Sequence, residues 1–262
     1  MNTFQAIVLG LLQGLTEFLP VSSSGHLEIG KAWFGLEDLP LTFSILVHGA
    51  TALSTVVVFW PDIRGLVQGL FDPRTSKQRQ YVAFLLLSMI PAGIVGFTLR
   101  DFLESAFIDQ TQRVGLTLWV TALILLVSQR FAKRNEPITA GRALGIGLAQ
   151  AFAILPGVSR SGSTIGAAIA MGISREEAAR FSFLMALPVI LGATALEVKD
   201  LVEVGGMAGG SDLVLPYAVG TIVAFISGII ACKWMIRLVQ NTSLNGFAVY
   251  CAILGTVVLI TL

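Results

Sequence analysis

Long apolar runs dominate the chain, and six of them are long enough to cross a lipid bilayer as helices. A transmembrane helix needs about 20 mostly apolar residues. The candidate spans are residues 42–60, 81–99, 113–129, 181–197, 213–232 and 246–262. Most charged side chains lie between these runs rather than within them. The pattern therefore predicts an all-α integral membrane protein.

Two further apolar stretches are interrupted by polar residues. Residues 4–34 are broken near Pro20, and residues 143–172 are broken at Pro156 and Gly157. Serine-rich runs follow both breaks. Non-helical backbone at membrane depth is tolerated only where it is buried in protein or lines a water-filled cavity. We therefore expect each stretch to form a re-entrant hairpin of two short helices.

The two halves of the chain share sequence in the same order. Residues 19–25 resemble residues 155–162, which contain one additional position, and residues 49–53 recur identically as residues 192–196. Two matches in the same order, about 140 residues apart, indicate an internal duplication.

The duplication predicts one membrane domain, residues 1–262, made of two repeats at about 1–135 and 136–262. Each repeat has one re-entrant hairpin followed by three transmembrane helices. Because three is odd, the second repeat should be inverted relative to the first. Inverted repeats place interrupted helices near the midplane, with the functional site between them.

Composition agrees with a membrane protein and excludes several other classes. Hydrophobic residues make up 55% of the chain and charged residues 13%, against about 25% charged in soluble domains. The mean hydropathy is +0.81. These values exclude a soluble enzyme, a disordered chain and a nucleic-acid binder. Cys232 and Cys251 lie in apolar stretches, so we expect buried thiols rather than a disulfide or metal framework.

Basic residues are distributed unevenly among the loops. Twelve Lys or Arg residues lie in one set of loops, residues 61–80, 130–142, 173–180 and 233–245. Four lie in the opposite set, residues 25–41, 100–113 and 198–212. By the positive-inside rule, the first set is cytoplasmic. Both termini are then expected outside. The first twelve residues carry no Lys or Arg, so we expect no cleavable signal there.

Polar residues in the two hairpins are the candidates for chemistry, because ionisable groups inside a membrane are costly. The first hairpin carries Gln13, Glu17, Ser22, Ser23, Ser24 and His26. The second carries Ser159, Arg160, Ser161, Ser163 and Thr164. If the hairpin tips meet, Glu17 and Arg160 come close enough to interact.

This cluster has a structural and a functional interpretation. Glu17 and Arg160 can form an ion pair that only joins the hairpins. Alternatively, a guanidinium among hydroxyls, beside a helix N-terminus, suits a phosphate group. Glu17 would repel that phosphate unless a divalent cation lies between them. A serine hydroxyl beside His26 is by itself a weak signal for nucleophilic chemistry. We expect His48 to be a core histidine and Gln150 a polar residue at a helix interface.

The two motifs resemble the signatures of a known family. Residues 13–26, Gln-Gly-Leu-Thr-Glu-Phe-Leu-Pro-Val-Ser-Ser-Ser-Gly-His, resemble the first signature of the bacterial undecaprenyl pyrophosphate phosphatases, the BacA/UppP family. Residues 156–164, Pro-Gly-Val-Ser-Arg-Ser-Gly-Ser-Thr, resemble the second. The resemblance covers essentially the whole chain. It implies a phosphatase that converts undecaprenyl diphosphate to undecaprenyl phosphate and inorganic phosphate, recycles the carrier for cell-wall synthesis and confers bacitracin resistance.

The resemblance also implies roles for particular residues. Glu17 matches the essential carboxylate, Ser23 and His26 match proposed nucleophilic or acid–base residues, and Arg160 lies in the phosphate-binding motif. Gln13, which is also expected to bind the substrate, stands where many members have glutamate. The remaining hydroxyls are expected to bind the substrate: Ser22, Ser159, Ser161, Ser163 and Thr164.

The resemblance further implies a divalent cation, Mg²⁺ or Ca²⁺, held by Glu17, and a site that opens on the periplasmic side of the inner membrane. Membrane lipid would surround the protein, no nucleic acid would bind it, and a homodimer is one expected assembly. The nucleophile stays open among Ser23, His26 and metal-bound water.

A second function remains open from the residues. Inverted repeats with broken helices are also a transporter architecture, and a fold does not fix function. In a transporter or lipid flippase, Arg160 would bind an anionic substrate and Glu17 would carry a coupled proton. A purely structural membrane scaffold is the third interpretation.

Overall fold

The computed structural model describes most of the chain. It covers residues 1–36, 39–72, 74–99, 111–131, 135–203 and 211–261. Within these ranges all regular structure is helical, with eleven α-helices and one 3-10 turn, Ser211–Leu213. The parts of the predicted loops and of the last span that lie outside the described residues are 37–38, 73, 100–110, 132–134, 204–210 and 262.

The helices follow the apolar pattern of the sequence. In chain order they are Thr3–Thr16 (α1), Ser23–Trp33 (α2), Leu41–Val58 (α3), Trp60–Phe71 (α4), Ser76–Thr98 (α5), Thr111–Gln129 (α6), Ala140–Phe152 (α7), Arg160–Ala170 (α8), Arg175–Glu203 (α9), Val214–Asn241 (α10) and Asn245–Thr261 (α11).

Helices of membrane-spanning length confirm the fold class. Five helices, α3, α5, α6, α9 and α10, are long and apolar enough to cross a bilayer. The sixth expected span is α11, an apolar helix of 17 residues at the lower limit for spanning. The protein is an all-α integral membrane protein.

Both interrupted stretches form pairs of short helices, as their sequences predict. In each pair a serine caps the second helix and satisfies one of its free amide groups. Ser22 accepts a hydrogen bond from the Gly25 amide, and Ser159 accepts one from the Gly162 amide. The same capping pattern, a serine followed three residues later by glycine, therefore lies at the start of α2 and of α8.

One element was not predicted. Residues 61–80 were expected to be a loop, but α4 occupies Trp60–Phe71. Pro61 lies in the first turn, where the backbone amide has no partner within the helix and its absence costs nothing. Asp62 also lies in the first turn, and its negative charge is stabilised there by the positive end of the helix dipole. The helix is too short to span a membrane, which is why a search for 20-residue apolar runs does not find it.

Close helix contacts hold the first helix pair in the protein. Helix α1 packs against α10 through glycine: a Cβ added to Gly10 would lie 2.3 Å from the carbonyl oxygen of Gly220. Ser54 on α3 also donates a hydrogen bond of 2.8 Å to the carbonyl of Phe225 on α10. Helix α10 therefore fixes α1, which carries Gln13 and leads into Glu17.

Candidate active site

Glu17 is the centre of a buried polar cluster. It follows the last residue of α1, and its side chain is 7% exposed. One carboxylate oxygen, Oε2, accepts hydrogen bonds from Gln13 Nε2 at 3.0 Å and from Ser23 Oγ at 2.7 Å. The other, Oε1, accepts one from Arg160 Nη2 at 2.6 Å. The two pairs of short helices are thus in direct contact through Glu17 and Arg160.

Three buried polar atoms from the residues predicted to form the site have no partner among the described residues. They are Nη1 of Arg160, Oε1 of Gln13 and Oγ of Ser163. Buried polar atoms in folded proteins nearly always make hydrogen bonds. One nitrogen of the guanidinium therefore holds Glu17 while the other remains available to a polar ligand, and a phosphoryl oxygen suits it.

Four of the predicted substrate-binding hydroxyls already have structural partners. Ser22 and Ser159 cap helices. Ser161 donates to the carbonyl of Leu19, which ties the second pair to the first. Thr164 donates to the Arg160 carbonyl and lies 2.6 Å from Ser182 Oγ. These residues hold the site together. The Ser23 hydroxyl instead donates to the Glu17 carboxylate, and the Ser163 hydroxyl has no partner among the described residues.

The two breaks are joined by further bonds from backbone amides. The Gly157 amide donates to Ser24 Oγ at 3.3 Å, and the Ser159 amide donates to Thr121 Oγ1 on α6 at 3.0 Å. Gly157 has a φ of +83°, and a Cβ there would lie 2.0 Å from Thr117 Oγ1. Glycine at this position therefore allows both the turn and its contact with α6.

Ser22 has an unusual backbone conformation just before Ser23. Its φ is 72° and its ψ is 94°, and Ser22 is a non-glycine residue at positive φ. Such conformations cost about 1–3 kcal/mol and persist where the surroundings hold them. The strained residue places Ser23 at the first position of α2, with its hydroxyl on Glu17.

His26 does not contact Ser23 or Glu17 through its ring nitrogens. Nδ1 lies 2.7 Å from the Ser22 carbonyl oxygen, and Nε2 lies 2.6 Å from the hydroxyl of Tyr250 on α11. The sequence hypothesis of a serine activated directly by His26 therefore does not match this arrangement. In the structure, Glu17 is the group that accepts the hydrogen bond from Ser23.

Two other polar residues singled out from the sequence differ in burial, since His48 is half-buried and Gln150 is buried. His48 makes the backbone contact expected of a core histidine, with Nδ1 2.8 Å from the Ser44 carbonyl oxygen. Gln150 is buried in α7, and neither of its amide atoms has a partner among the described residues.

Sequence reasoning missed the residues that reach the site from other helices. They are Thr117 and Thr121 on α6, Ser182 on α9 and Tyr250 on α11. Each is a hydroxyl-bearing residue in the apolar part of a helix, a pattern that is common at ordinary helix interfaces. Only the packing of those helices against the two breaks distinguishes them.

The oxygen atoms of the site fit a divalent cation shared with a phosphorylated ligand. The described residues contain no group of three or more His, Cys, Asp or Glu side chains suited to a metal. Mg²⁺, however, often binds through one or two carboxylates together with substrate phosphates and water. Glu17 and the unpartnered Oε1 of Gln13 provide oxygen ligands of this kind.

Comparison with known proteins identifies the family. The profile of the bacitracin resistance protein BacA matches residues 6–257. A protein of Parabacteroides distasonis named undecaprenyl-diphosphatase is 47% identical over 260 residues, covering 98% of this chain and 97% of the relative. Proteins with the same name from Bacteroides fragilis and Carboxydothermus hydrogenoformans are 46% and 38% identical over 263 residues, covering 99% of this chain and 98% and 97% of the relatives. The chain belongs to the BacA family of bacitracin resistance proteins.

Proposed function

We propose that this protein is an undecaprenyl-diphosphatase, which hydrolyses undecaprenyl diphosphate to undecaprenyl phosphate and inorganic phosphate. Relatives that match this chain over nearly their whole length carry this name. The observation that carries the proposal is the arrangement at Glu17. One carboxylate oxygen accepts a hydrogen bond from the Ser23 hydroxyl, and the other holds an arginine that has a second, unpartnered nitrogen.

Arg160 and two helix ends would bind the diphosphate. Ser23 and Arg160 are the first residues of α2 and α8, so the positive ends of both helix dipoles lie at the site. The free Nη1 of Arg160 and the Ser163 hydroxyl are available as donors to phosphoryl oxygens. The isoprenoid tail would extend into the surrounding membrane lipid.

Ser23 is the proposed nucleophile. Its Oγ attacks the terminal phosphorus while its proton passes to Glu17, which already accepts its hydrogen bond. The bond from that phosphorus to the bridging oxygen breaks, and undecaprenyl phosphate leaves. A water molecule then attacks the phosphoserine, releases inorganic phosphate and restores the serine. Arg160 stabilises the negative charge that develops on the transferred phosphoryl group.

The donor set around Glu17 supports a divalent cation, Mg²⁺ or Ca²⁺. Glu17 and Gln13 would hold it through oxygen atoms, with phosphate oxygens completing the shell. When bound, such an ion would neutralise negative charge on the phosphoryl oxygens. Gln13 contributes an amide oxygen rather than a second carboxylate, so the protein itself offers one negative charge.

The proposed reaction explains the family's association with bacitracin. The antibiotic captures the diphosphate form of the lipid carrier, and the reaction removes that form. The product, undecaprenyl phosphate, is the carrier used again in peptidoglycan synthesis. Greater activity therefore leaves less target for the drug.

The distribution of charge supports a location and an orientation. We place the protein in the bacterial cytoplasmic membrane, with both termini and the opening of the site on the outer side, because the basic loops belong on the cytoplasmic side. The matching cap serines of α2 and α8 support an internal repeat, and the inversion of the second repeat stays a prediction. Assembly into a homodimer stays a prediction.

The test is phosphate release from undecaprenyl diphosphate by the purified protein in detergent, with and without EDTA. The protein should release phosphate, and EDTA should abolish the release. Glu17→Gln should nearly abolish it without rescue by added metal. Ser23→Ala should lower the rate by about 10³-fold or more, because it removes the nucleophile.

Ser24→Ala is the matched control for Ser23→Ala. It removes a neighbouring hydroxyl that accepts from the Gly157 amide rather than contacting Glu17, so its rate should fall far less. A trapped phosphohistidine would assign the nucleophile to His26. Activity of Ser23→Ala within about tenfold of the parent would favour activated water. A folded parent protein that releases no phosphate would favour the transporter interpretation.

A further inference from the structure

Tyr250 makes a contact with the site that the proposed mechanism does not use. Its hydroxyl lies 2.6 Å from Nε2 of His26, although the two residues are 224 positions apart. The planes of the two rings are nearly parallel, at 9°, with centroids 5.6 Å apart. His26 is buried, whereas Tyr250 is 44% exposed on α11. A helix from the other end of the chain therefore reaches into the first hairpin.

The hydrogen bonds of His26 determine which nitrogen carries the proton in the neutral ring. The Ser22 carbonyl oxygen, 2.7 Å from Nδ1, can only accept, so Nδ1 is the donor. Nε2 then has a lone pair, and the tyrosine hydroxyl donates to it. Both nitrogens are engaged, and the ring is held in one orientation.

This ring connects Tyr250 to the strained residue of the site. Ser22 has its positive φ next to Ser23, and its carbonyl is the group that His26 holds. The Ser22 hydroxyl is held separately by the Gly25 amide. The Ser22 carbonyl also accepts a hydrogen bond from the backbone amide of His26 at 3.1 Å. Contacts from α2 thus fix Ser22 at both its carbonyl and its hydroxyl, and Tyr250 fixes the ring that makes one of these contacts.

We propose that Tyr250 is a positioning residue for the phosphatase reaction. It holds His26 as the neutral Nδ1–H tautomer, and His26 in turn holds the Ser22 carbonyl so that Ser23 faces Glu17. Tyr250 does not touch the reacting atoms. This inference rests on the proposed function, since its effect is on the rate at which Ser23 attacks phosphorus.

A spectroscopic measurement tests the contact independently of activity. The chain has only two histidines, so protein labelled with ¹⁵N-histidine gives signals from His26 and His48 alone. His26→Gln removes one set and assigns both. Tyr250→Phe should shift the Nε2 signal of His26 and leave His48 unchanged, because it removes only the hydroxyl that donates to Nε2.

The rate measurement tests positioning. In phosphate release, Tyr250→Phe should lower kcat about tenfold and leave KM within about twofold, because the substrate contacts are intact. Combined with His26→Gln, Tyr250→Phe should add less than about twofold, since a residue that acts through His26 has no further effect once His26 is absent. Thr256→Val, which breaks another hydrogen bond of α11, to Trp119, should keep the parent rate.

The outcomes separate this inference from the proposed function. Parental kcat in Tyr250→Phe, an unmoved His26 signal, or a full additional loss in the His26→Gln background would each overturn the positioning role. A fall in melting temperature together with an equal loss in Thr256→Val would assign Tyr250 to packing of α11. If the parent protein releases no phosphate, the proposed function is wrong, and the positioning role is wrong with it. The His26 signal would then report the contact with Tyr250 alone.

Discussion

The two terminal nitrogens of Arg160 are in different situations. Nη2 donates to Glu17 Oε1 at 2.6 Å, and Nη1 is buried without a described partner. A residue that only joined the two helix pairs would need the first contact alone. The unpartnered second nitrogen favours the proposed phosphate clamp over a purely structural ion pair, because arginine can donate to two partners with one planar group.

Arg160→Lys should be severely damaging although the charge is kept. Lysine is a point charge and cannot hold Glu17 and a phosphoryl oxygen with one planar group. Losing one charge-assisted hydrogen bond, at about 1.5–3 kcal/mol, corresponds to roughly 10- to 150-fold in rate. Measurement of kcat, KM and melting temperature on one preparation checks this. Full activity in a well-folded Lys variant would contradict the clamp, and a loss that follows thermal stability would favour the structural ion pair.

At the scale of helices, α1 can approach α10 closely because both carry glycine at the contact. A Cβ on Gly10 would be 2.3 Å from the Gly220 carbonyl oxygen, too close for any real side chain. Backbone cannot move aside as a flexible side chain can. The position of α1, of Gln13 within it and of Glu17 directly after it, therefore depends on this contact.

Gly10→Ala should destabilise the protein by about 1–3 kcal/mol, because α1 must shift away from α10. Phosphate release should fall with it, since Gln13 and Glu17 move with α1. Gly96→Ala in α5 is the matched control, because its Cβ would meet no atom within 4 Å. Thermal unfolding in detergent measures the difference. Equal melting temperatures for the two variants would show that α1 is not held by this contact.

The sequence predicts some elements well because their signals are local. A 20-residue apolar run needs no partner to be recognised, and α3, α5 and α10 follow from it. The breaks at Pro20 and Pro156 are equally local, and they correctly predict short helices whose ends meet at Glu17 and Arg160.

Other features depend on contacts between distant parts of the chain. Tyr250 is one tyrosine in an apolar helix, and only packing 224 residues away places it on His26. Ser22 and Ser159 act as helix caps because of their backbone conformation, which cannot be read from the sequence motif. The motif therefore identifies which residues gather at the site, and the fold decides which of them face a ligand.

At the scale of the whole molecule, the charge bias predicts orientation. A protease-cleavable tag at either terminus should be cut in intact spheroplasts, and the same tag inserted after Arg74, between α4 and α5, should be protected. Twelve basic residues in the proposed cytoplasmic loops against four outside give the physical reason. Cleavage at the internal tag with protected termini would reverse the orientation of the protein.

The pairing of Glu17 with Arg160 has a consequence for how the protein is made. The two residues are 143 positions apart, so a ribosome adding about 5–20 residues per second completes Glu17 roughly 7–30 seconds before Arg160. Throughout that interval the nascent chain carries a carboxylate whose arginine does not yet exist. A lone carboxylate is costly in hydrocarbon. We therefore expect Glu17 to stay hydrated or protonated until Arg160 has been synthesised and can pair with it.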